Sequence, residues 1–217
     1  MSMADTTRLL ILGTRTFAEE IADVASEVPG VQVAGFIENM DKSRCSLKIA
    51  GLPVFWIDKL AELAATHMVV CGLGTTHRDA YIKQASIYGI RFATIVHPLA
   101  RISSRSSVGE GTIVSVGAII AAATEVGHHV VINRAATIGH HTQVGPFTTI
   151  GPAASIAGNC RIGDHVYIGI GATVINQISV GSRSVIAAGA VVIENVPDRV
   201  MVAGVPARIV KENVDGK

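Results

Sequence analysis

The sequence predicts two domains, a small α/β domain built on a parallel sheet and an all-β domain coiled as a parallel β-helix. In the first hundred residues, short apolar segments alternate with segments of helical spacing, which is typical of a parallel α/β sheet. From Ile102 to Val192, every sixth residue is Ile or Val. The chain of 217 residues is 49% hydrophobic and only 16% charged. This composition requires a fold that buries much surface per residue, or an interface that covers the remainder.

The composition also restricts the partners and the compartment. The formal net charge is +1, so neither nucleic acid nor a membrane is an expected partner. The three cysteines are scattered without a CxxC spacing, which argues against a disulfide framework or a zinc knuckle and favours the cytoplasm. The apolar run after Arg8 is too short for a signal peptide or a membrane span.

Residues 1–98 are predicted to form the α/β domain, a small parallel sheet of the Rossmann-like class. Thr16 and Asp58 are expected to cap the first two helices, and Gly89 is expected to end the third. The boundary with the next domain is expected within residues 97–102. The predicted strands are 8–12, 31–37, 68–72 and 91–96, and the predicted helices are 16–28, 58–65 and 76–88.

Residues 99–196 are predicted to form the β-helix. A period of six fits neither a helix face nor an alternating strand. It fits a triangular coil of three hexads, in which the aliphatic residue and a small residue two positions earlier point inward, while a following glycine relieves the backbone at the bend. Period alone does not fix the hand of this coil. The aliphatic series is Ile102, Val108, Val114, Ile120, Val126, Ile132, Ile138, Val144, Ile150, Ile156, Ile162, Ile168, Val174, Val180, Ile186 and Val192.

The loop Gly13-Thr14-Arg15 follows the first strand and opens a helix, the place where parallel-sheet domains bind anions and nucleotides. It lacks the Gly-x-Gly-x-x-Gly pattern, so a dinucleotide is not the expected ligand. Glu38 and Asn39 follow the second strand, where an acidic residue commonly accepts hydrogen bonds from a ribose or a base. A plain turn with a solvated Glu38 explains these residues equally well.

Two histidines at one bend, His140 and His141, are the strongest candidates for chemistry. Residues 18 apart lie one coil above another, so His140 is expected beside Gly158, with Asn176 one coil further. An imidazole that titrates near neutral pH beside a backbone N–H provides a general base and an oxyanion donor for acyl transfer. The alternative is that His140 is an ordinary bend residue.

The other histidines and the final segment are expected to be structural. His128, His129 and His165 lack the spacing of three metal ligands and are interpreted as surface histidines, so no metal is expected. Residues 197–217 follow the last hexad and are expected to cap the open end of the coil. Within them, Gly204 and Pro206 shape a turn that can also hold a ligand.

Several motifs carry a resemblance to a known family. The hexads together with three further motifs resemble the left-handed β-helix acyltransferases: Gly139-His140-His141, Ala157-Gly158-Asn159 and Ala203-Gly204-Val205-Pro206-Ala207. Four motifs of the first domain resemble the sugar O- and N-acyltransferases, a group that includes bacillosamine-pathway and GDP-perosamine N-acetyltransferases and sialic acid O-acetyltransferases. These motifs are Leu12-Gly13, Gly35-Phe36-Ile37-Glu38, Gly51-Leu52-Pro53-Val54 and Ile95-Val96-His97-Pro98.

The resemblance implies a left-handed coil and a homotrimer with active sites between subunits. The first domain would hold the nucleotide of a nucleotide-linked amino sugar, and acetyl-CoA would lie along the β-helix. His140 matches the base, Gly158 the donor to the thioester oxygen, and Asn133 a residue of the sugar pocket. The implied substrate residues are Gly13, Thr14, Arg15, Glu38, Asn39, Gly72, Gly74 and Asn133, and those for acetyl-CoA are Gly158, Asn176, Ala188, Ala203, Gly204 and Pro206.

Two positions depart from the family pattern. Relatives often follow the base with Asp or Glu, which orients the imidazole, whereas this chain has His141. Relatives often carry His in the first loop, whereas Phe17 occupies the corresponding position here. Outward apolar residues on early coils, Ile113, Ile119 and Val131, indicate a subunit or domain interface.

The predicted function is acetyl transfer from acetyl-CoA to the 4-amino group of a UDP- or GDP-linked 4-amino-4,6-dideoxy sugar of the perosamine or bacillosamine type, in lipopolysaccharide O-antigen or other surface glycan biosynthesis. The first alternative is O-acetylation of sialic acid or another sugar. Remoter alternatives are a metal-dependent lyase of the γ-carbonic-anhydrase kind and a nucleotide-sugar sensor without catalysis, because a fold does not by itself decide a function.

Overall fold

The computed structural model describes residues 6–217, which form two compact units. The first unit runs to Gly74 and resumes at Arg78–Pro98. The second unit comprises Leu99–Lys217 together with Thr75–His77. None of the helices in this described range has the length and apolar composition that a membrane-spanning helix requires.

The first unit is the predicted parallel α/β sheet. Its order is β3-β4-β2-β1-β5-β6, and all neighbouring pairs are parallel except β3 with β4. Residues Leu9–Leu12 of the central strand are fully buried, because helices and loops cover both faces of a parallel sheet. In chain order the elements are β1 Thr7–Leu12, α1 Thr16–Ser26, β2 Val31–Glu38, β3 Lys48–Ile49, β4 Leu52–Trp56, α2 Leu60–Leu63, β5 Met68–Cys71, α3 Asp79–Ser86, β6 Arg91–Phe92 and β7 Ile95–Val96.

The two predicted N-caps, Thr16 and Asp58, are wrong. Thr16 is the first residue of α1, and Arg15 takes the N-cap position with extended backbone and no side-chain cap. Asp58 lies inside a 3-10 turn, Ile57–Lys59, and its carboxylate accepts a 2.8 Å hydrogen bond from the Tyr88 hydroxyl instead. Bonding to a distant phenol replaces the local bond to the helix terminus that an N-cap would make.

Several predicted element bounds also differ. The predicted strand 91–96 is two short strands, and β3 and β4 were not predicted. The third helix begins with a kinked 3-10 turn at Thr76–Arg78 before α3 starts. Short strands are the least visible to a pattern search, because two to five residues cannot establish a period.

The second unit is the predicted β-helix, with short strands on three parallel faces. The first face contains β10, β13, β16, β19 and β22; the second contains β8, β11, β14, β17, β20 and β23; the third contains β9, β12, β15, β18 and β21. The strands are β8 Arg101–Ile102, β9 Ser107–Val108, β10 Ile113–Val114, β11 Ile119–Ile120, β12 Glu125–Val126, β13 Val131–Ile132, β14 Thr137–Ile138, β15 Gln143–Val144, β16 Thr149–Ile150, β17 Ser155–Ile156, β18 Arg161–Ile162, β19 Tyr167–Ile168, β20 Thr173–Val174, β21 Ser179–Val180, β22 Val185–Ile186 and β23 Val191–Val192.

Stacked coils are in register as the period predicts, with Ile113 paired to Val131 and Ile138 paired to Ile156. The aliphatic series is buried from Val114 onward, and its first two members are half-buried. The small inward phase is buried as well. Its threonines donate hydrogen bonds to backbone oxygens 15 residues ahead, as from Thr124 to Gly139 at 2.8 Å. These bonds satisfy hydroxyls that would otherwise be buried without a partner.

The glycines after the aliphatic residues have a different role from the one predicted. A Cβ at Gly109 would lie 2.6 Å from the Gly127 carbonyl carbon, so close stacking of two backbones requires the glycine. The left-handed conformation at each bend falls two residues later. It is taken by glycine at some bends, such as Gly117 with a φ of 67°, and by other residue types at the rest, such as Ala123 and His141 with φ of 57° and 56°. The glycine that directly follows an aliphatic residue therefore provides close approach rather than a positive φ.

The residues after the last hexad extend the first face. β24, Met201–Gly204, pairs in parallel with β22, and β25, Ala207–Lys211, pairs antiparallel with β24. Val200 and Val202 are buried by this addition. The outward residues Ile113 and Val131 are also buried, whereas Ile119 is 44% exposed.

The inward aliphatic residues are expected to dominate the stability of the coil. Ile150→Ala removes a fully buried side chain from the middle of the stack and should lower the free energy of unfolding by about 2–5 kcal/mol. Gln143→Ala, at an exposed outward position, is the matched control and should change it by less than about 0.5 kcal/mol. Chemical denaturation measures both. Equal effects of the two variants would contradict the assigned inward and outward phases.

Candidate functional site

His140 lies at the corner of the β-helix between β14 and β15, where the second face turns into the third. Its side chain is exposed. A Cβ added to Gly158 would lie 2.7 Å from Cε1 and from Nε2 of His140, so the imidazole packs directly on the bare backbone one coil ahead. His140 and Gly158 are thus in contact, as predicted. No residue larger than glycine fits at position 158 unless the ring of His140 moves.

His140 and His141 form a hydrogen-bonded pair. Their Nδ1 atoms are 3.0 Å apart, and the two rings are nearly perpendicular, with centroids 5.2 Å apart. Of two nitrogens at this distance, one must donate and the other accept. When His140 carries the proton on Nδ1, its Nε2 has a free lone pair on the side of Gly158. His141 has a φ of 56°, the left-handed conformation that the equivalent residues of neighbouring bends, such as Ala123 and Asn159, also take.

The backbone of Gly158 is held on both sides while its amide hydrogen stays available. His140 O accepts a 2.8 Å hydrogen bond from Asn159 N, and Gly158 O accepts a 3.0 Å hydrogen bond from Gln177 N. Within residues 6–217, no acceptor is found for the N–H of Gly158. An N–H fixed in this way can donate to an oxyanion without rearrangement, which is the requirement for electrostatic catalysis.

Two residues beneath this corner were not identified from the sequence as supporting it. The Thr142 hydroxyl donates to Ala157 O at 3.1 Å and accepts from Cys160 N at 3.2 Å. The Cys160 thiol is buried and lies 3.1 Å from Ile175 O. Burial raises the pKa of this thiol, so it stays protonated and acts as a packing group. Their signal in the sequence is the small inward phase, two positions before an aliphatic residue.

The remaining predicted residues of the second unit lie elsewhere in the chain. Asn176 is exposed at the corner of His140, one coil beyond Gly158. Asn133 and Ala188 lie at a different corner, between the first and second faces, and the Asn133 amide donates to Ile150 O at 3.2 Å. The other three predicted residues belong to β24 and the turn that follows it: Ala203, Gly204 and Pro206. A single chain therefore does not bring Asn133 or Ala188 to His140.

In the first unit, Thr14 and Glu38 form one buried cluster at the ends of β1 and β2. The Thr14 hydroxyl donates to Glu38 Oε2, and Glu38 Oε1 accepts from the backbone amides of Asn39, Met40 and Asp41 at 3.0, 2.8 and 3.3 Å. Burial favours the neutral carboxyl, but the hydrogen bonds from Thr14 and the three amides outweigh it and lower the pKa of Glu38.

Arg44 completes this cluster and was not identified from the sequence. Its Nε lies 3.5 Å from Glu38 Oε2 and 2.9 Å from the Thr14 hydroxyl oxygen, and its Nη2 donates to Thr14 O at 2.5 Å. The carboxylate of Glu38 is thus engaged by its own chain and shapes the loop after β1. Direct contact of Glu38 with a ribose stays a prediction. No pattern marks Arg44, because its partner Thr14 is distant in the sequence and Arg44 itself lies in a short 3-10 turn.

Glycines in the predicted loops permit close packing. A Cβ at Gly72 would lie 2.8 Å from the Cα of Ala18, and Gly13 has a φ of 112°. The ring of Phe17 packs 3.5 Å from the position that a Cβ on Gly74 would take, so Phe17 supports the turn after β5. Arg15 is exposed, and the Asn39 amide donates to Gln84 Oε1 at 2.8 Å.

Of the second histidine group, His128 is exposed as predicted, whereas His129 and His165 are not at the surface, contrary to prediction. His129 and His165 are only 8% and 9% exposed. Both rings contact Phe147, which lies between them in the stack, at centroid distances of 5.6 and 4.8 Å. The register of the coils aligns these three bend residues in one column. In the described part of the chain, no three His, Cys, Asp or Glu side chains group so as to hold a metal ion.

Comparison with known proteins connects this geometry to a repeat family. Residues 159–194 match the family model described as bacterial transferase hexapeptide (six repeats). This segment is therefore similar to the hexapeptide repeat of bacterial transferases. No curated protein matches the chain in sequence. Solved structures do match the chain over nearly its whole length.

Three of those structures share both units of the chain. A mutant of perosamine N-acetyltransferase from Caulobacter crescentus, solved with CoA and GDP-perosamine, is 26% identical with a TM-score of 0.88, over 94% of this chain and 97% of that one. The acetyltransferase domain of PglB from Neisseria gonorrhoeae, solved with acetyl coenzyme A, is 27% identical with a TM-score of 0.88, over 94% and 100%. WeeI from Acinetobacter baumannii is 24% identical with a TM-score of 0.86, over 94% and 100%, and shows the shared fold. The β-helix is therefore the left-handed coil that the resemblance implies.

The ionised Glu38 is expected to stabilise the fold in a pH-dependent way. Because its pKa is lowered below the ordinary value of 4.5, its contribution is present above that value and is lost as the pH falls through the lowered pKa. Glu38→Gln should lower the free energy of unfolding at pH 7 by about 1–3 kcal/mol. The difference from the wild type should shrink below about pH 4.

Glu19→Gln, at an exposed position in the first turn of α1, provides the control and should lower the free energy of unfolding at pH 7 by less than about 1 kcal/mol. A difference between Glu38→Gln and the wild type that stays constant from pH 7 to pH 3 would show that the charge of Glu38 does not stabilise the loop.

Proposed function

We propose that the protein is an N-acetyltransferase that moves the acetyl group of acetyl-CoA to the 4-amino group of a nucleotide-linked 4-amino-4,6-dideoxy sugar. The observation that carries the proposal is the contact of the His140 imidazole with Gly158, whose N–H has no acceptor in the described chain. The whole-length similarity to N-acetyltransferases solved with CoA and GDP-perosamine supports the choice of both substrates.

The proposed reaction uses His140 as general base and Gly158 as oxyanion donor. The neutral amine attacks the thioester carbon, and the N–H of Gly158 donates to the oxygen as it becomes negative. His140 Nε2 removes a proton from the attacking nitrogen. The C–S bond then breaks, the proton passes to the departing sulfur, and the products are the amide and free CoA thiol.

The His140–His141 hydrogen bond sets the tautomer for this step. In the proposed tautomer, His140 Nδ1–H donates to His141 Nδ1 across the 3.0 Å contact, which leaves the lone pair of His140 on Nε2; the reverse tautomer would place that lone pair on Nδ1. A neutral ring brings no negative charge to stabilise the imidazolium that forms, unlike the carboxylate common in relatives. This weaker support is sufficient for an amine, which is nucleophilic without deprotonation, and it is less suited to a hydroxyl. The pair therefore favours N-acetylation over O-acetylation.

The proposal requires more than one copy of the chain. Asn133 and Ala188, the predicted sugar and acetyl-CoA residues, lie at a corner away from His140. Exposed apolar side chains are found on the second face and at its two corners, where Ile119, Ile170 and Ile175 are 44%, 57% and 37% exposed. Such a surface is typical of a subunit interface. A cytoplasmic homotrimer would cover it and bring the two corners of neighbouring subunits together, with the sugar product used in surface glycan biosynthesis.

Loss of the base is expected to reduce turnover without loss of substrate binding. His140→Ala should lower kcat by about 10²- to 10⁴-fold, with little change in the affinity for the nucleotide-linked sugar. His128→Ala, an exposed histidine at another corner, is the control and should keep kcat. Release of CoA thiol measures turnover, and calorimetry measures binding. Near-normal turnover of His140→Ala would remove His140 from the role of base.

Variants of His141 separate orientation from simple packing. His141→Gly and His141→Asn both tolerate the positive φ at this position, but only Asn offers an acceptor to His140 Nδ1. Turnover should fall about tenfold or more in His141→Gly and recover in part in His141→Asn. Equal turnover of the two variants would show that His141 does not orient the base.

A substrate panel tests the reaction itself. Acetyl-CoA is offered with UDP-, GDP-, dTDP- and CMP-linked 4-amino sugars and with sialic acids, and products are identified by mass spectrometry. A product heavier by one acetyl group on the amine supports the proposal. Acetylation of sialic acid alone would assign O-acetylation instead, and no consumption of acetyl-CoA with any acceptor would contradict acetyl transfer.

A further inference from the structure

Residues 213–217 follow β25 and form neither helix nor strand; we call this segment the clasp. Val214 N donates to Arg199 O at 2.9 Å, and Gly216 N donates to Arg183 O at 2.7 Å. These oxygens belong to bends of successive coils at the corner between the third and first faces. The clasp therefore runs across successive coils of the β-helix. Its alternate backbone amides, those of Val214 and Gly216, donate hydrogen bonds to these coils.

Charged side chains fix the position of the clasp. The Asp215 carboxylate accepts from Arg183 Nη1 at 2.7 Å and lies 3.4 Å from Arg199 Nη1. The hydrogen bond from Arg183 lowers the pKa of Asp215, so the carboxylate stays ionised at neutral pH. The Lys217 ammonium lies 4.2 Å from the centroid of the Tyr167 ring, within the range of a cation–π contact.

The far end of the clasp holds Thr75 and Thr76. The Lys217 main-chain oxygen accepts from Thr76 N at 2.6 Å and from the hydroxyl of Thr75, and Lys217 N donates to Thr76 Oγ1 at 2.9 Å. Thr76 is fully buried. These bonds explain why Thr75–His77 belong to the second unit, although Gly74 and Arg78 on either side belong to the first.

Gly216 is the residue that makes the clasp fit. It has a φ of 69°, and a Cβ at this position would overlap Thr76 Oγ1 and lie 2.8 Å from His165 O. No other residue type can take this position without moving the clasp away from Thr76 or from the coil. Gly30 also has a positive φ, of 77°, but a Cβ there would have no atom within 4 Å.

We propose that the clasp is a positioning element for the nucleotide-linked substrate. Gly72, Leu73 and Gly74 form the turn after β5, at the edge of the sheet where parallel-sheet domains bind ligands. Thr75 follows this turn directly in the chain, so fixing Thr75 and Thr76 fixes one end of it. Asp215 and Gly216 act through this turn and do not contact substrate. The identity of the ligand rests on the proposed function, whereas the clasp itself does not.

Gly216→Ala tests the clasp, with Gly30→Ala as the control for strain at a positive φ. Hydrogen exchange of the Thr76 amide should be about tenfold faster or more in Gly216→Ala and unchanged in Gly30→Ala. The KM for the nucleotide-linked amino sugar should rise about threefold to tenfold in Gly216→Ala, while the KM for acetyl-CoA stays within about twofold. A purely structural defect would change both KM values or lower the amount of folded protein.

Charge reversal provides a second test that does not depend on glycine. Asp215→Arg and Arg183→Asp should each speed exchange at Thr76. The double variant should restore slow exchange in part, because the ion pair re-forms with its polarity reversed while the new arginine also faces Arg199. Unchanged exchange in Gly216→Ala and in both single variants would overturn the clasp. Faster exchange of the Thr76 amide with an unchanged KM for the sugar would overturn the role of the clasp in positioning substrate. A wild type inactive with every amino sugar would refute the proposed function and leave the exchange result standing.

Discussion

The axial register between successive coils is the constraint on which the second unit depends. Backbone hydrogen bonds hold each short strand against its equivalent in the next coil, and the inward Ile and Val residues fill the space that the three faces enclose. Neither contribution suffices alone, because two-residue strands have almost no stability without neighbours on both sides. With the register in place, every bend residue has a fixed neighbour above and below.

The candidate chemistry follows from that constraint rather than from a cleft. His140 meets Gly158 because both are bend residues of the same corner, and the rigid support comes from Thr142 and Cys160 in the inward phase. Bend residues that are stacked in the same way at another corner only pack against one another. At another corner, His129, Phe147 and His165 stack with their rings in contact and largely buried. The exposure of the histidine and the bare glycine beside it distinguish the reactive corner from the structural one.

The coil and the His140 contact could be predicted from the sequence because they depend on a period, and a period is visible in a single chain. The function of the glycines was misread, since a pattern shows that glycine recurs but not whether φ or close approach requires it. The Glu38–Thr14–Arg44 cluster and the bonds of Lys217 to Thr76 join residues 24 to 141 positions apart without a repeat. Such contacts depend on tertiary packing. The strands β3 and β4 were missed for another reason, because they are too short to establish a period.

The inward threonines have a consequence for how such a chain can change in length. Thr112, Thr124, Thr142 and Thr148 each donate to a backbone oxygen 15 residues ahead, and Thr112, Thr142 and Thr148 also accept from an amide 18 residues ahead. If one complete coil of the β-helix is removed or added, every such hydrogen bond re-forms with an equivalent partner. If any other number of residues is gained or lost within the β-helix, several buried threonine hydroxyls lose their hydrogen-bond partners. The tolerated step in evolution is therefore a whole turn, or a loop extruded at a bend.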